Sequence, residues 1–96
     1  MTVSELLHEQ REVITQIARR HGVTRMRLFG SVARGEDSPE SDIDLLIETG
    51  AETSPWFPAG LILDLEQLLG RRVEVVTERA LRPDLRERVL QEARPL

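Results

Sequence analysis

The sequence predicts an α/β domain, α+β in layout, with a small mixed β-sheet of about three to four strands packed by helices. Two observations carry that expectation. Apolar residues recur at three- and four-residue spacing in three separate stretches, which is the mark of amphipathic helices. Between them lie three short runs rich in Val, Ile, Leu and Phe, bordered by Gly, Pro, Ser and Asp, which is the mark of strands. With 96 residues, no repeat, no low-complexity tract and no linker, residues 1–96 are expected to form one domain. A domain of this size buries only about two thirds of its unfolded surface, so its stability is expected to be modest.

The first element is a helix over Ser4–His21, where Leu6, Leu7, Val13, Ile14, Ile17 and Ala18 form the apolar stripe. Ser4 suits the N-cap, Arg19 and Arg20 suit the last turn, and Gly22 suits the stop. His8 and His21 read as surface residues of this helix. Arg25–Phe29 follows as a strand that Gly30 ends, with Met26 and Leu28 on one face and Arg25, Arg27 and Phe29 on the other. Ser31–Arg34 has room for one helical turn at most, because Gly35, Asp37, Ser38 and Pro39 give the following stretch turn composition. Asp42–Glu48 is the second strand, and its unbroken Leu45, Leu46 and Ile47 predict burial on both faces at the sheet centre.

A loop over Thr49–Pro58 carries Trp56 and Phe57, which read as a cap on the domain's own core and, failing that, as a partner anchor. Ala59–Leu69 is a helix with a broad stripe of Leu61, Ile62, Leu65, Leu68 and Leu69, stopped by Gly70. Arg72–Thr77 is the third strand. Pro83–Ala93 is the last helix, with Pro83 and Asp84 in its first turn and Leu85, Val89 and Leu90 on one side. Its arginines, Arg86, Arg88 and Arg94, read as a solvated face.

Composition excludes several chemistries. There is no cysteine, so disulfides, thiolate catalysis and cysteine-bound zinc are absent together. The two histidines lack the i, i+4 spacing of a helical metal pair. All 13 cationic residues are arginine, which removes Schiff-base catalysis and the lysine of a Walker P-loop. A net charge of −4 argues against extended nucleic-acid binding, which requires a basic stripe. No stretch approaches the roughly 20 apolar residues of a membrane span, and the N-terminus lacks signal-peptide character, so a cytoplasmic setting is expected.

The chemistry concentrates in Leu28–Glu48, LFGSVARGEDSPESDIDLLIE. Asp42 and Asp44 alternate along a strand, so their carboxylates point the same way, about 7 Å apart, while Ile43 points into the opposite layer. Such a pair suits hard, oxygen-seeking Mg²⁺, which phosphoryl and nucleotidyl transfer use to orient phosphates and neutralise charge. Gly30 permits close approach of a backbone to phosphate oxygens, Ser31 offers a hydroxyl and an amide, and Arg34 offers a phosphate a two-pronged hydrogen bond. Glu74 lies between Val73 and Val75, so it faces away from the layer those valines pack against. If its strand neighbours the second, it reaches the aspartates as a third ligand or a base.

Phe29, Gly30, Ser31, ten intervening residues, then Asp42, Ile43 and Asp44 resemble the nucleotidyltransferase superfamily of DNA polymerase β type. The wording GSVARGE followed by SDIDLLIE looks most like its minimal nucleotidyltransferase group, short domains that often act as the antitoxin beside a helical HEPN protein. The resemblance implies the polymerase β-like fold, ATP as donor and Mg²⁺ as cofactor, with two ions expected; of the residues read above, Asp42, Asp44 and Glu74 are the expected metal site, and Gly30 and Ser31, with Arg34, the expected triphosphate seat. It also implies transfer of AMP to a hydroxyl of the HEPN partner. One departure stands out: the family's third carboxylate is commonly aspartate, and Glu74 is longer by a methylene. A small-molecule acceptor, and a non-catalytic binding antitoxin with a vestigial nucleotide site, are the alternatives.

Overall fold

The computed structural model describes residues 2–96. The expected first helix is two: α1, Val3–Glu9, and α2, Arg11–Arg20, divided at Gln10 (φ −96°, ψ 6°). Backbone hydrogen bonding passes through the break, from the Gln10 N–H to Leu6 and from the Ile14 N–H to Gln10. The division falls where polar Gln10 occupies the stripe between buried Leu7 and Ile14, and the Arg11 guanidinium takes over one helix-end carbonyl by donating to His8 O at 3.0 Å. The N-cap is Thr2 rather than Ser4: its hydroxyl accepts from the Glu5 N–H and donates to the Glu5 carboxylate, both at 3.1 Å. This is the Thr-x-x-Glu pattern of a helix start, two residues earlier than the apolar period suggested.

Strand β1, Val23–Phe29, begins two residues before the expected start. A single turn, α3, Gly30–Ala33, follows it. Strand β2 is Ile43–Thr49, so Asp42 precedes it by one residue. Helix α4, Ala59–Leu69, has the predicted limits and ends in a left-handed Gly70 (φ 64°). Strand β3 is Val73–Thr77, a 3₁₀ turn over Glu78–Ala80 was not anticipated, and α5 is Pro83–Glu92.

The sheet has the order β1-β2-β3, with β1 and β2 antiparallel and β2 and β3 parallel. It is the expected mixed sheet with β2 at its centre. The parallel pair requires a crossover, which α4 supplies. One face packs Leu28, Ile43, Leu45, Ile47 and Val73 into a core with Val3, Leu7, Ile14 and Ile17 from α1 and α2 and with Leu61, Leu65 and Leu69 from α4. Leu46, which points to the other face, is buried as well. The outer edge of β1 is met by an antiparallel bridge from Leu28 to Arg94, beyond α5, through two backbone hydrogen bonds of 2.7 and 2.9 Å. No helix among the described residues is long and apolar enough to cross a membrane.

Trp56, His21, Arg86 and Arg94 stand elsewhere than their sequence context suggests. Trp56 does not cap the core; it is 88% exposed on a left-handed φ of 61°, and only Phe57 of the pair packs against the core. His21 is not a surface residue of a helix: it caps α2 with a side chain only 14% exposed, bonded through Nδ1 to Ser54 Oγ at 2.6 Å and through Nε2 to Asp64 Oδ2 at 2.8 Å. That chain ties the end of α2 to the β2–α4 loop and to α4. Arg94 donates to the Val32 carbonyl, and Arg86 is paired rather than simply solvated.

Arg86 belongs to a network on the side of the sheet opposite the main core. Arg27, with a side chain 15% exposed, pairs with Glu78 at 3.4 Å, and Arg86 reaches the same carboxylate at 3.3 Å. The Arg27 Nε is buried without a partner, so Glu78 is the main compensation for a largely buried charge. Removing one member of such a pair strands the other. Glu78→Ala is therefore expected to lower stability by about 2 kcal/mol, below the fully buried case because Glu78 retains some solvent contact. Urea denaturation tests this; an unchanged midpoint would show that Arg27 finds water instead.

Candidate active site

Strand register assembles the site. In the antiparallel ladder Phe29 lies opposite Asp44, and in the parallel ladder Asp44 lies opposite Glu74. Asp44 and Glu74 therefore share one face of the sheet, away from the core side, because Ile43 and Val73, their neighbours in sequence, form the buried row. The chain leaves β1 at Phe29 and turns immediately through Gly30, which takes φ 77°. A Cβ at Gly30 would overlap the Asp44 carboxylate. The glycine is thus required twice, for its backbone conformation and for the close approach of α3 to the acid.

Three acids and one cation act on one another here. The Asp44 carboxyl is raised from an ordinary 3.8 to about 6, first by burial, then by a hydrogen bond and like charge from Glu74, and then by the charge of Asp42; Arg34 pulls it the other way. Three of the predicted polar residues, Glu74, Asp42 and Arg34, are close enough to be felt at the carboxylate of the fourth, Asp44, which lies against Gly30. Ser31 is the second residue of α3 and half-buried.

Arg34 is where the structure adds most. It is neither a free loop arginine nor aimed at the acids alone. Its Nε donates to Glu36 at 2.8 Å and its Nη1 donates to both carboxylate oxygens of Glu92 at 3.2 Å. Its guanidinium is held above its already high ordinary pKa, first by the hydrogen bond to Glu36 and, against some loss from burial, by the charges of Glu92 and Glu36. Glu92 belongs to α5, which packs against α3. No spacing rule links residues 34 and 92, so Glu92 had no signal in the sequence; Glu36, two residues from Arg34, was within reach of local reasoning.

Among the described residues no group of three or more His, Cys, Asp or Glu side chains is arranged to hold a metal unaided. The donor set nevertheless fits Mg²⁺, which binds through one or two carboxylates and completes its octahedron with water and substrate phosphates. Asp42 and Asp44 are hard oxygen donors, and the crowding that raises the Asp44 carboxyl is the kind a cation relieves.

Comparison with known proteins agrees with this architecture. A family model described as "Nucleotidyltransferase domain" matches residues 10–96. A candidate protein adenylyltransferase of Methanocaldococcus jannaschii is 40% identical over 87 residues, covering 91% of this chain and 94% of the relative. Among solved structures, a candidate minimal nucleotidyltransferase superposes with a TM-score of 0.84 at 50% identity, over 96% of this chain and 94% of that one. A chain from a toxin–antitoxin crystal structure with AMP-PNP superposes with a TM-score of 0.69 over 86% of this chain and 68% of its own, at 22% identity, a likeness of fold.

Proposed function

Because this chain belongs to the nucleotidyltransferase domain family and is a nucleotidyltransferase, we propose that it transfers AMP from ATP to a hydroxyl of a partner protein, as the antitoxin of a HEPN-linked pair. The observation that carries the reaction is the register Phe29–Asp44–Glu74, which sets the acids beside Gly30 at the start of α3. The protein acceptor is supported by the M. jannaschii relative named for protein adenylylation and by the fold of a chain crystallised in a toxin–antitoxin complex. In this reading the reaction takes place in the cytoplasm.

In this reading Gly30 and Ser31 receive the triphosphate through backbone amides and a hydroxyl, and Arg34 takes a phosphate oxygen. Asp42 and Asp44, with Glu74, would hold Mg²⁺, which would supply charge neutralisation on the phosphates and activation of the attacking oxygen. The acceptor oxygen forms a bond to the α-phosphorus, the bond from that phosphorus to the bridging oxygen breaks, and pyrophosphate leaves. The hydroxyl proton passes to the carboxylate of Glu74, which stands beside Asp44 across the parallel ladder. Exposed Trp56 is a ready anchor for a protein partner. It follows β2 whereas the acids stand at the beginning of that strand, so it would serve docking rather than chemistry.

The test is AMP transfer to a co-expressed HEPN protein by the wild type and by the Asp42→Asn/Asp44→Asn variant, read by intact mass. A gain of one AMP per acceptor with the wild type alone is expected. Equal transfer by both proteins would remove the acids from the site.

A further inference from the structure

We propose that Glu92, on the C-terminal helix α5, is a positioning residue for nucleotide binding: together with Glu36 it holds the Arg34 guanidinium in a preset orientation for the phosphates. The inference deepens the reading above and rests on Arg34 lying in the nucleotide seat. Arginine is a long side chain with several rotatable bonds, and an unrestrained one loses that freedom when it grips a ligand. Here the freedom is already gone. Nε is fixed by Glu36 and Nη1 by both oxygens of Glu92, so two of the three guanidinium nitrogens are occupied by the protein, and Nη2 is the nitrogen left to meet an anion. Glu92 is itself restrained, with a side chain only 18% exposed and a further contact from Arg88 Nε at 3.4 Å.

The arrangement has a directional consequence. Glu36 lies in the exposed turn after α3, two residues from Arg34, whereas Glu92 belongs to a ten-residue helix whose following segment is pinned to β1 by the Leu28–Arg94 bridge. Glu92 thus references Arg34 to the same strand that delivers Gly30 to Asp44. Phosphate seat and acids are held in one frame through α5, although α5 contributes no group to the reaction.

Binding of Mg²⁺ with α,β-methylene-ATP, an analogue that does not transfer AMP, tests this without any acceptor. By isothermal titration calorimetry, Glu92→Gln is expected to raise Kd by about 5- to 10-fold and Arg34→Ala by at least as much. The double variant Arg34→Ala/Glu92→Gln is expected to bind no worse than Arg34→Ala alone, because Glu92 acts only through Arg34. Arg88→Ala leaves the Arg34–Glu92 pair in place and is expected to stay within about twofold of wild type. Glu36→Gln, on an exposed turn where folding is not at stake, is expected to weaken binding by about 2- to 5-fold. Where an acceptor is available, Glu92→Gln should raise KM for ATP with little change in kcat. Tighter binding by Glu92→Gln would overturn the proposal and make Glu92 a competitor of phosphate. Unchanged binding by Glu92→Gln, or additive losses in the double variant, would also overturn it. A wild type that does not bind the analogue would remove the nucleotide reading together with this inference; a wild type that binds alongside an indifferent Glu92→Gln removes the inference only.

Discussion

Asp44→Asn is expected to reduce AMP transfer by about 10³-fold or more while making the protein more stable. On the proposed function, the loss follows from removing a carboxylate that would hold Mg²⁺, a contribution to the transition state worth several kcal/mol. The gain follows from the crowding at this position. The folded-state carboxyl titrates at about 6 against an ordinary 3.8, with burial the first cause and Glu74 the second. The folded protein therefore holds a proton that the unfolded chain has already released between pH 4 and 6. Wild-type stability is accordingly highest below about pH 4 with respect to this group, falls as pH rises through that window, and is level above it. Asparagine carries no charge to bury and can hydrogen-bond Glu74. Because the group is only about half buried, the gain at pH 7.5 is put at ~1 kcal/mol after solvent screening, or about 4–8 °C in melting temperature. Thermal melts of both proteins at pH 4.5 and 7.5, without divalent cation, check this. The two should differ less at the lower pH. A variant less stable than wild type at pH 7.5 would show that Asp44 contributes an attraction that outweighs its crowding.

Gly30→Ala is the second large effect, and it should fall more on activity than on stability. The added Cβ would overlap the Asp44 carboxylate, and the backbone there takes φ 77°. The colliding atom is the end of a side chain, so the fold can yield by turning Asp44 aside and shifting α3. That relaxation limits the destabilisation to about 1–2 kcal/mol, most of it from the left-handed backbone. The same relaxation moves the acid away from Gly30 and Ser31, the proposed phosphate seat, and a displacement near 1 Å in a reacting constellation costs about 10²-fold. Transfer assays paired with urea denaturation separate the two effects. Near-wild-type transfer by a well-folded Gly30→Ala would mean that Asp44 does not need the position it holds here.

The two variants also show which parts of the molecule were legible beforehand. Local periodicity located α4 to the residue and put β2 at the sheet centre, because three consecutive aliphatics, Leu45, Leu46 and Ile47, have no reason to occur on a half-exposed strand. It failed at the first helix because the apolar period resumes in phase at Val13 and Ile14 after the polar stretch around Gln10, so the stripe reads as one helix although the backbone divides at Gln10. Trp56 and His21 failed in opposite directions. An isolated aromatic in a loop and an isolated histidine at a helix end have no periodic neighbours, so their burial depends on where distant segments return. Phe57 found the core and Trp56 did not, and His21 found Ser54 and Asp64 at separations of 33 and 43 residues.

The candidate site divides along the same line. Spacing alone brought Gly30, Ser31, Asp42 and Asp44 forward, because a strand end, a turn and a second strand are contiguous in the chain and the pleat dictates which carboxylates point together. Whether Glu74 belongs with them was decided by the parallel pairing of β3 with β2, a contact made across the α4 crossover. What holds Arg34 was decided by α5, which returns to α3 at a separation of 58 residues. The sequence by itself determined the reaction type and the residues that are near one another along the chain. Only the tertiary structure decided the third carboxylate's neighbour and the partners of the arginine, because strand register and helix docking are set by burial of the whole core and leave no mark at either residue.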